Sequence, residues 1–169
     1  MKINYFIIYF FILFISLPTL SQEEGINTTK IYDEPEVSPA KLSFLAPPEG
    51  FVPSTDFDGY INVSIGGAIL MSVIDNVPYS ILKASMTDEF FKENQMVRIS
   101  ETALKISEDI QGVVYKCSFE TQGHKFIRMI VYAGGLTKTL WLNVTYPEIM
   151  DEQLYAAMMR SFQSINLSE

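Results

Sequence analysis

The spacing of apolar residues changes along the chain, and each change marks an element. From Tyr5 to Ile15 the chain is an unbroken apolar run. Lys2 stands before it, and Ser16-Leu17-Pro18-Thr19-Leu20-Ser21 follows. A positive start, an apolar stretch and then a proline among small residues have the layout of a secretory signal. The run falls short of the roughly 20 residues that a membrane-spanning helix needs. Residues 1–21 are therefore expected to be a signal peptide, cleaved after Ser21 or Gln22. Residues 22–40 show no periodicity. They hold Glu23, Glu24, Asp33, Glu34 and Glu36 against Lys30, with Pro35 and Pro39. Self-repelling charge and proline make this an acidic, flexible tether.

The folded unit is expected over residues 41–169. Lys41–Leu45 reads as a short strand that stops at Pro47-Pro48. Tyr60–Ile65 and Ala68–Ile74 flank Gly66-Gly67, which predicts a hairpin with a two-residue turn, because such turns need positive φ. Pro78 opens a helical segment, since its missing N–H has no partner in a first turn. Ile81, Leu82 and Ser85 are expected on its inner face. A bend or restart is expected near Ser85–Thr87, with Thr87 as a cap and Phe90 and Phe91 as anchors. Strand patterns resume over Met96–Ile106, Gly112–Thr121, His124–Ala133 and Leu136–Tyr146. Gln122-Gly123 and Gly134-Gly135 are expected to be two-residue turns. Pro147 ends the sheet, and Met150, Leu154, Ala157, Met158, Ser161, Phe162 and Ile165 share one face of a final helix. The prediction is an α+β fold built on one antiparallel sheet of about six to seven strands. Both faces of that sheet carry apolar residues, so an α/β/α sandwich is expected, with one helix after the first hairpin and one at the C-terminus.

Composition narrows the function. The 169 residues carry a formal net charge of −8, which argues against nucleic acid as a partner. Removing residues 1–21 takes away Lys2 and no acidic residue, leaving 11 basic and 20 acidic residues. One Cys permits no internal disulfide and no Cys-rich zinc site, and one His removes most metal sites. There is no G-x-S-x-G, no phosphate-binding loop and no dinucleotide fingerprint. Ser54, Asp56, Asp58 and Gly59 align with the start of a calcium loop, but its final position falls on Ile65, where a bidentate Glu is required. No catalytic residue, metal or cofactor is predicted.

One row of side chains invites a binding role. With two-residue turns at Gln122-Gly123 and Gly134-Gly135, Cys117 lies opposite Arg128, and Arg128 opposite Trp141. They would share a face with Tyr115, Phe119, Phe126, Ile130 and Tyr132. Arg128 could stack on Trp141 and lower the pKa of Cys117. The bland alternative is that Arg128 lays its stem on the sheet and reaches solvent. Phe51, Phe57, Tyr60 and Trp141 are further candidates for an exposed apolar patch.

The opening Phe44-Leu45-Ala46-Pro47-Pro48-Glu49-Gly50-Phe51, the helix after Val77-Pro78, the strand meander and the close Tyr146-Pro147-Glu148…Ser161-Phe162-Gln163-Ser164-Ile165 together resemble the PsbP/Mog superfamily, including its bacterial DcrB-like secreted members. The resemblance spans about three quarters of the chain. It implies an α/β/α sandwich that works by binding other proteins, and it supplies no shared catalytic residues. Members include an extrinsic photosystem II subunit, a Ran-GTPase-binding factor and bacterial lipoproteins or chaperones. No Cys stands directly after the leader, so the lipid anchor of many bacterial members is not expected here. The expectation is an exported protein-binding or scaffold domain, periplasmic or extracellular, with another envelope or extracellular protein as partner. Two alternatives remain open: a small-molecule or lipid carrier with a pocket between sheet and helix, and a hydrolase with a site that no motif reveals.

Overall fold

The structure, a computed structural model, describes residues Phe44–Leu167. The expected signal peptide, the tether and residues 41–43 lie outside the described residues, as do 168 and 169. The expected α+β architecture is present as a seven-stranded antiparallel sheet. In chain order the strands are β1 (Val52–Pro53), β2 (Gly59–Asn62), β3 (Gly67–Asp75), β4 (Val97–Lys105), β5 (Gln111–Thr121), β6 (His124–Gly134) and β7 (Lys138–Pro147). Their order across the sheet is β1-β2-β3-β7-β6-β5-β4. Helices α1 (Tyr79–Ala84) and α2 (Asp88–Glu93) follow β3. A 3₁₀ turn (Glu148–Met150) leads into α3 (Asp151–Gln163).

Alternation along the strands sorts the core into two layers. Ile69, Met71, Val114, Ile127, Met129, Val131, Leu140, Leu142, Val144 and Tyr146 point to one side, where α3 covers them with Met158 and Phe162. Val113, Tyr115, Cys117, Ile130 and Tyr132 point to the other, beneath Met86 and Phe91 of the α1–α2 region and Met96. α3 carries a buried stripe of Met158, Ser161 and Phe162, and Ile165 just beyond it is buried too.

The helix after the hairpin does restart where the sequence suggests. Ser85 closes α1, and the Thr87 hydroxyl caps α2 by accepting the Phe90 N–H at 3.2 Å. The inner face of α1 differs from the expectation. Leu82 packs inward, whereas Ile81 and Ser85 are exposed. Six residues make too short a helix for periodicity to identify its buried side.

Three local expectations are corrected. The first strand expected over Lys41–Leu45 does not form within its described part. Phe44 is in a turn, and Leu45–Pro48 belong to no strand. This stretch lies along the end of α3 instead. The Asn166 N–H donates to the Phe44 carbonyl at 2.9 Å, the Ala46 N–H to the Ser164 hydroxyl at 2.8 Å, and the Ser161 hydroxyl to the Ala46 carbonyl at 2.5 Å. The sheet edge it would have joined is taken by β1, which pairs with β2.

The other two corrections concern the Gly-Gly pairs. The first hairpin turns over Val63–Gly66, with Asn62 opposite Gly67. The last turns over Gly135–Lys138, with Gly134 opposite Thr139. In each pair one glycine is a strand residue kept bare for close packing. A Cβ on Gly67 would lie 3.0 Å from the Phe51 ring, and one on Gly134 would collide with the Lys138 carbonyl. Glycine thus marks close approach at these positions as well as turning. Gln122-Gly123 is the two-residue turn expected, with φ of 51° and 77° and Thr121 opposite His124.

Candidate functional site

The helix-covered layer on the α1–α2 side stops half way across the sheet. α1 packs on β5 and β6, and α2 on β4. Towards the same side β2, β3 and β7 present Ile61, Ala68, Leu70, Ser72, Trp141, Asn143 and Thr145, and none of these is buried. Ladder pairing arranges them in rows. Ile61, Ala68, Thr145, Arg128 and Cys117 form one row, Leu70, Asn143, Ile130 and Tyr115 the next, and Ser72, Trp141, Tyr132 and Val113 a third. Each row runs from a buried end under the helices to an open end over β3.

Arg128 stands where the cover ends. Its backbone partner on β5 is Cys117, as the sequence predicts. Its partner on β7 is Thr145, and Trp141 pairs with Tyr132. The four-residue loop at Gly135–Lys138 moves the register by four positions. An even shift keeps Trp141 on the same face, but it removes Trp141 from Arg128. The expected Arg128–Trp141 stack is therefore replaced. The guanidinium lies 4.4 Å from the centroid of Phe119, which itself stacks on Phe126 at 5.5 Å. Arg128 Nε donates to the Thr145 hydroxyl at 3.3 Å.

The electrostatics of the row follow from burial. Cys117 is fully buried, and burial pushes its thiol up to about 11 although Arg128 and Arg98 pull it down. A thiol at that pKa is neutral and unreactive at physiological pH. Burial lowers the pKa of Arg128, offset in part by Cys117; a guanidinium nevertheless keeps its charge. Among the described residues no carboxylate lies within ion-pair distance of Arg128, while Arg98 contacts Asp88 at 2.8 Å and Glu101 at 3.8 Å. Tyr132 and Tyr115 are both pushed to about 12, chiefly by burial. Their hydroxyls turn away from solvent, Tyr132 to the sulfur of Met86 at 3.7 Å and Tyr115 to the Lys83 carbonyl at 3.3 Å.

The remaining candidates separate. Phe51 and Tyr60 belong to the core on the α3 side, at 6% and 4% exposure. The apolar patch expected of them does not form. Phe57 is half-buried in the loop before β2 and touches neither core cluster. Trp141 is half-buried at the edge of the α1–α2 layer. Ser54 serves its own loop, its hydroxyl accepting the Asp56 N–H at 3.1 Å.

Two further features lie outside the sequence reading. A cleft of about 590 Å³ opens at one end of the sheet, between the β4–β5 and β6–β7 loops and the chain after α3, with Ile106, Ile110, Ile165, Asp109 and Lys138 in its lining. On the α3 side Lys116 Nζ meets Asp151 Oδ2 at 2.5 Å, and Tyr146 donates to Asp151 Oδ1 at 2.9 Å. Alternation places Lys116 on that face, yet nothing local in the sequence points to a partner 35 residues away.

No family model matches this chain, and no curated protein matches it. Among solved structures five chains match. One is a Pseudomonas aeruginosa protein of unknown function for which a regulatory role has been suggested. It is 10% identical, with a TM-score of 0.50, over 74% of this chain and 98% of the other. A likeness at that identity concerns the fold alone.

Proposed function

We propose that this chain is an exported, non-enzymatic protein-binding domain of the PsbP/Mog type, and that the open half of the sheet on the α1–α2 side is its docking face. The observation that carries this reading is the unequal cover of the sheet. The α3 side is sealed by a full set of buried residues, whereas Ile61, Ala68, Leu70 and Trp141 remain partly exposed beside Arg128 on the other. Sheet faces of this kind are stable in water only when small or mixed in polarity. This one mixes aliphatic, aromatic, amide and hydroxyl groups, as partner-binding surfaces do. The order of strands, helices and Pro-Gly signals supports the family assignment, and the leader composition supports export.

The test is affinity isolation from the envelope fraction with the full chain and with Ser72→Arg, an exposed position on the face in the row of Trp141. The expected result is a partner retained by the first and lost with the second, at equal circular dichroism. Equal retention by both, or no partner at all, refutes the reading.

A further inference from the structure

We propose that Arg128 is the recognition cation of the open face, and that it takes one carboxylate, from an Asp or Glu side chain on the docking protein segment. The inference rests on the docking-face reading and adds the chemistry of the partner.

Lys83, Arg98 and Lys116 each meet a carboxylate within the fold, whereas the exposed Lys92, Lys105, Lys125 and Arg160 meet none among the described residues and are left to water. Arg128 has none among the described residues, although it is more enclosed than Lys83 or Arg98. Partly desolvating a charge without a counter-ion is unfavourable, and a carboxylate brought by a partner would relieve that cost.

Geometry says how it would be met. The ring of Phe119 supports the guanidinium at 4.4 Å, and Thr145 holds Nε at 3.3 Å. The terminal nitrogens donate to no group among the described residues. A planar fork fixed at Nε and free at its tips is arranged for a carboxylate, which can accept two parallel hydrogen bonds. Cys117 on one side is sealed, and Thr145 and Ala68 on the other are half-exposed, so the approach is from the open half of the sheet.

The wider charge sets a limit. Residues 41–169 hold 10 basic and 15 acidic residues, so a polyacidic segment is repelled at long range. The fitting occupant has one acidic side chain among apolar neighbours, which rest on Leu70, Ala68 and Ile61. Attraction at Arg128 is short-ranged and partly shielded from solvent. Moderate salt screens the repulsion more than the contact.

Random short peptides displayed on phage and panned on the full chain test this. Enriched peptides are expected to share an Asp or Glu among apolar residues. Changing it to the amide should weaken binding about tenfold or more. Arg128→Gln should weaken the parent peptide as much and erase the difference between acid and amide. Binding should hold or tighten as salt is raised from low to moderate. No enrichment, no shared acid, or an acid whose loss costs the same in Arg128→Gln overturns the proposal. If Ser72→Arg abolishes binding and Arg128→Gln does not, the docking face stands and the role of Arg128 falls. If neither matters, both fall.

Discussion

Cys117 and Arg128 face each other across β5 and β6, the thiol sealed in the layer beneath α1 and α2 and the guanidinium at the margin of that layer. The pair sets a cation beside a thiol without making the thiol reactive. Burial outweighs the two arginines, and the pKa rises to about 11. Iodoacetamide at mildly alkaline pH is expected to leave the native chain unmodified and to label it fully in denaturant. Rapid labelling of the folded chain contradicts this.

Removal of Arg128 is expected to leave the fold intact. Arg128→Met keeps the stem over the sheet and removes a desolvated charge that has no carboxylate partner among the described residues. It also loses the hydrogen bond to Thr145 and the contact with Phe119. These effects oppose each other at about 1 kcal/mol each. Urea denaturation is expected to show stability unchanged or slightly raised. A fall of more than about 2 kcal/mol would mean that Arg128 holds the sheet together.

Asp151 has the opposite character. It receives both Lys116 and Tyr146, and the Lys116 side chain is only 13% exposed. Asp151→Asn leaves that ammonium without its charge partner and is expected to cost about 2 kcal/mol. Tyr146→Phe removes one hydrogen bond and should cost about 1 kcal/mol. The double variant should cost less than the sum, because both act on one cluster.

High pH should unfold the domain through its buried tyrosines. Burial raises Tyr115 and Tyr132 to about 12, raises Tyr60, and lifts Tyr146 further with help from Asp151. Each folded pKa is above the unfolded one. The stability they contribute is therefore whole below about pH 10, the unfolded value, and is lost as pH rises towards the folded values. Denaturation midpoints should hold up to about pH 10 and fall between about 10 and 12. Tyr146→Phe should flatten the upper part of that fall. A midpoint independent of pH in this window would refute the assignment.

Gly59 cannot be replaced. Its φ is 150°, and a Cβ there would collide with the Ile69 carbonyl, which is backbone and cannot yield. Gly59→Ala should lower the thermal midpoint and loosen the pairing of β2 with β3. An unchanged midpoint would show that this edge can shift.

Much of the fold was legible because it is written in local chemistry. Alternation placed β4 to β7, the Thr87 cap placed the restart between α1 and α2, and Gln122-Gly123 set the β5–β6 register that brings Cys117 to Arg128. Each depends on neighbours in sequence. The row through Arg128 was half legible for the same reason: its β5–β6 link follows from a tight turn, whereas its β6–β7 link depends on a longer loop.

Tertiary structure decided the rest. Gly67 is bare because the ring of Phe51 presses on it, and Gly134 because the Lys138 carbonyl of its own hairpin does. The longer loop at Gly135–Lys138 moved the β6–β7 register by four and exchanged Trp141 for Thr145 beside Arg128. Phe51 in a loop and Tyr60 at the start of a strand both read as surface aromatics, and they are core because they join the layer that α3 covers. Local sequence sets which residues alternate and where the chain turns tightly. Only packing decided which face is covered, how far the helices reach across it, and that Arg128 is half-buried with no carboxylate partner among the described residues, because those depend on contacts between segments far apart in the chain.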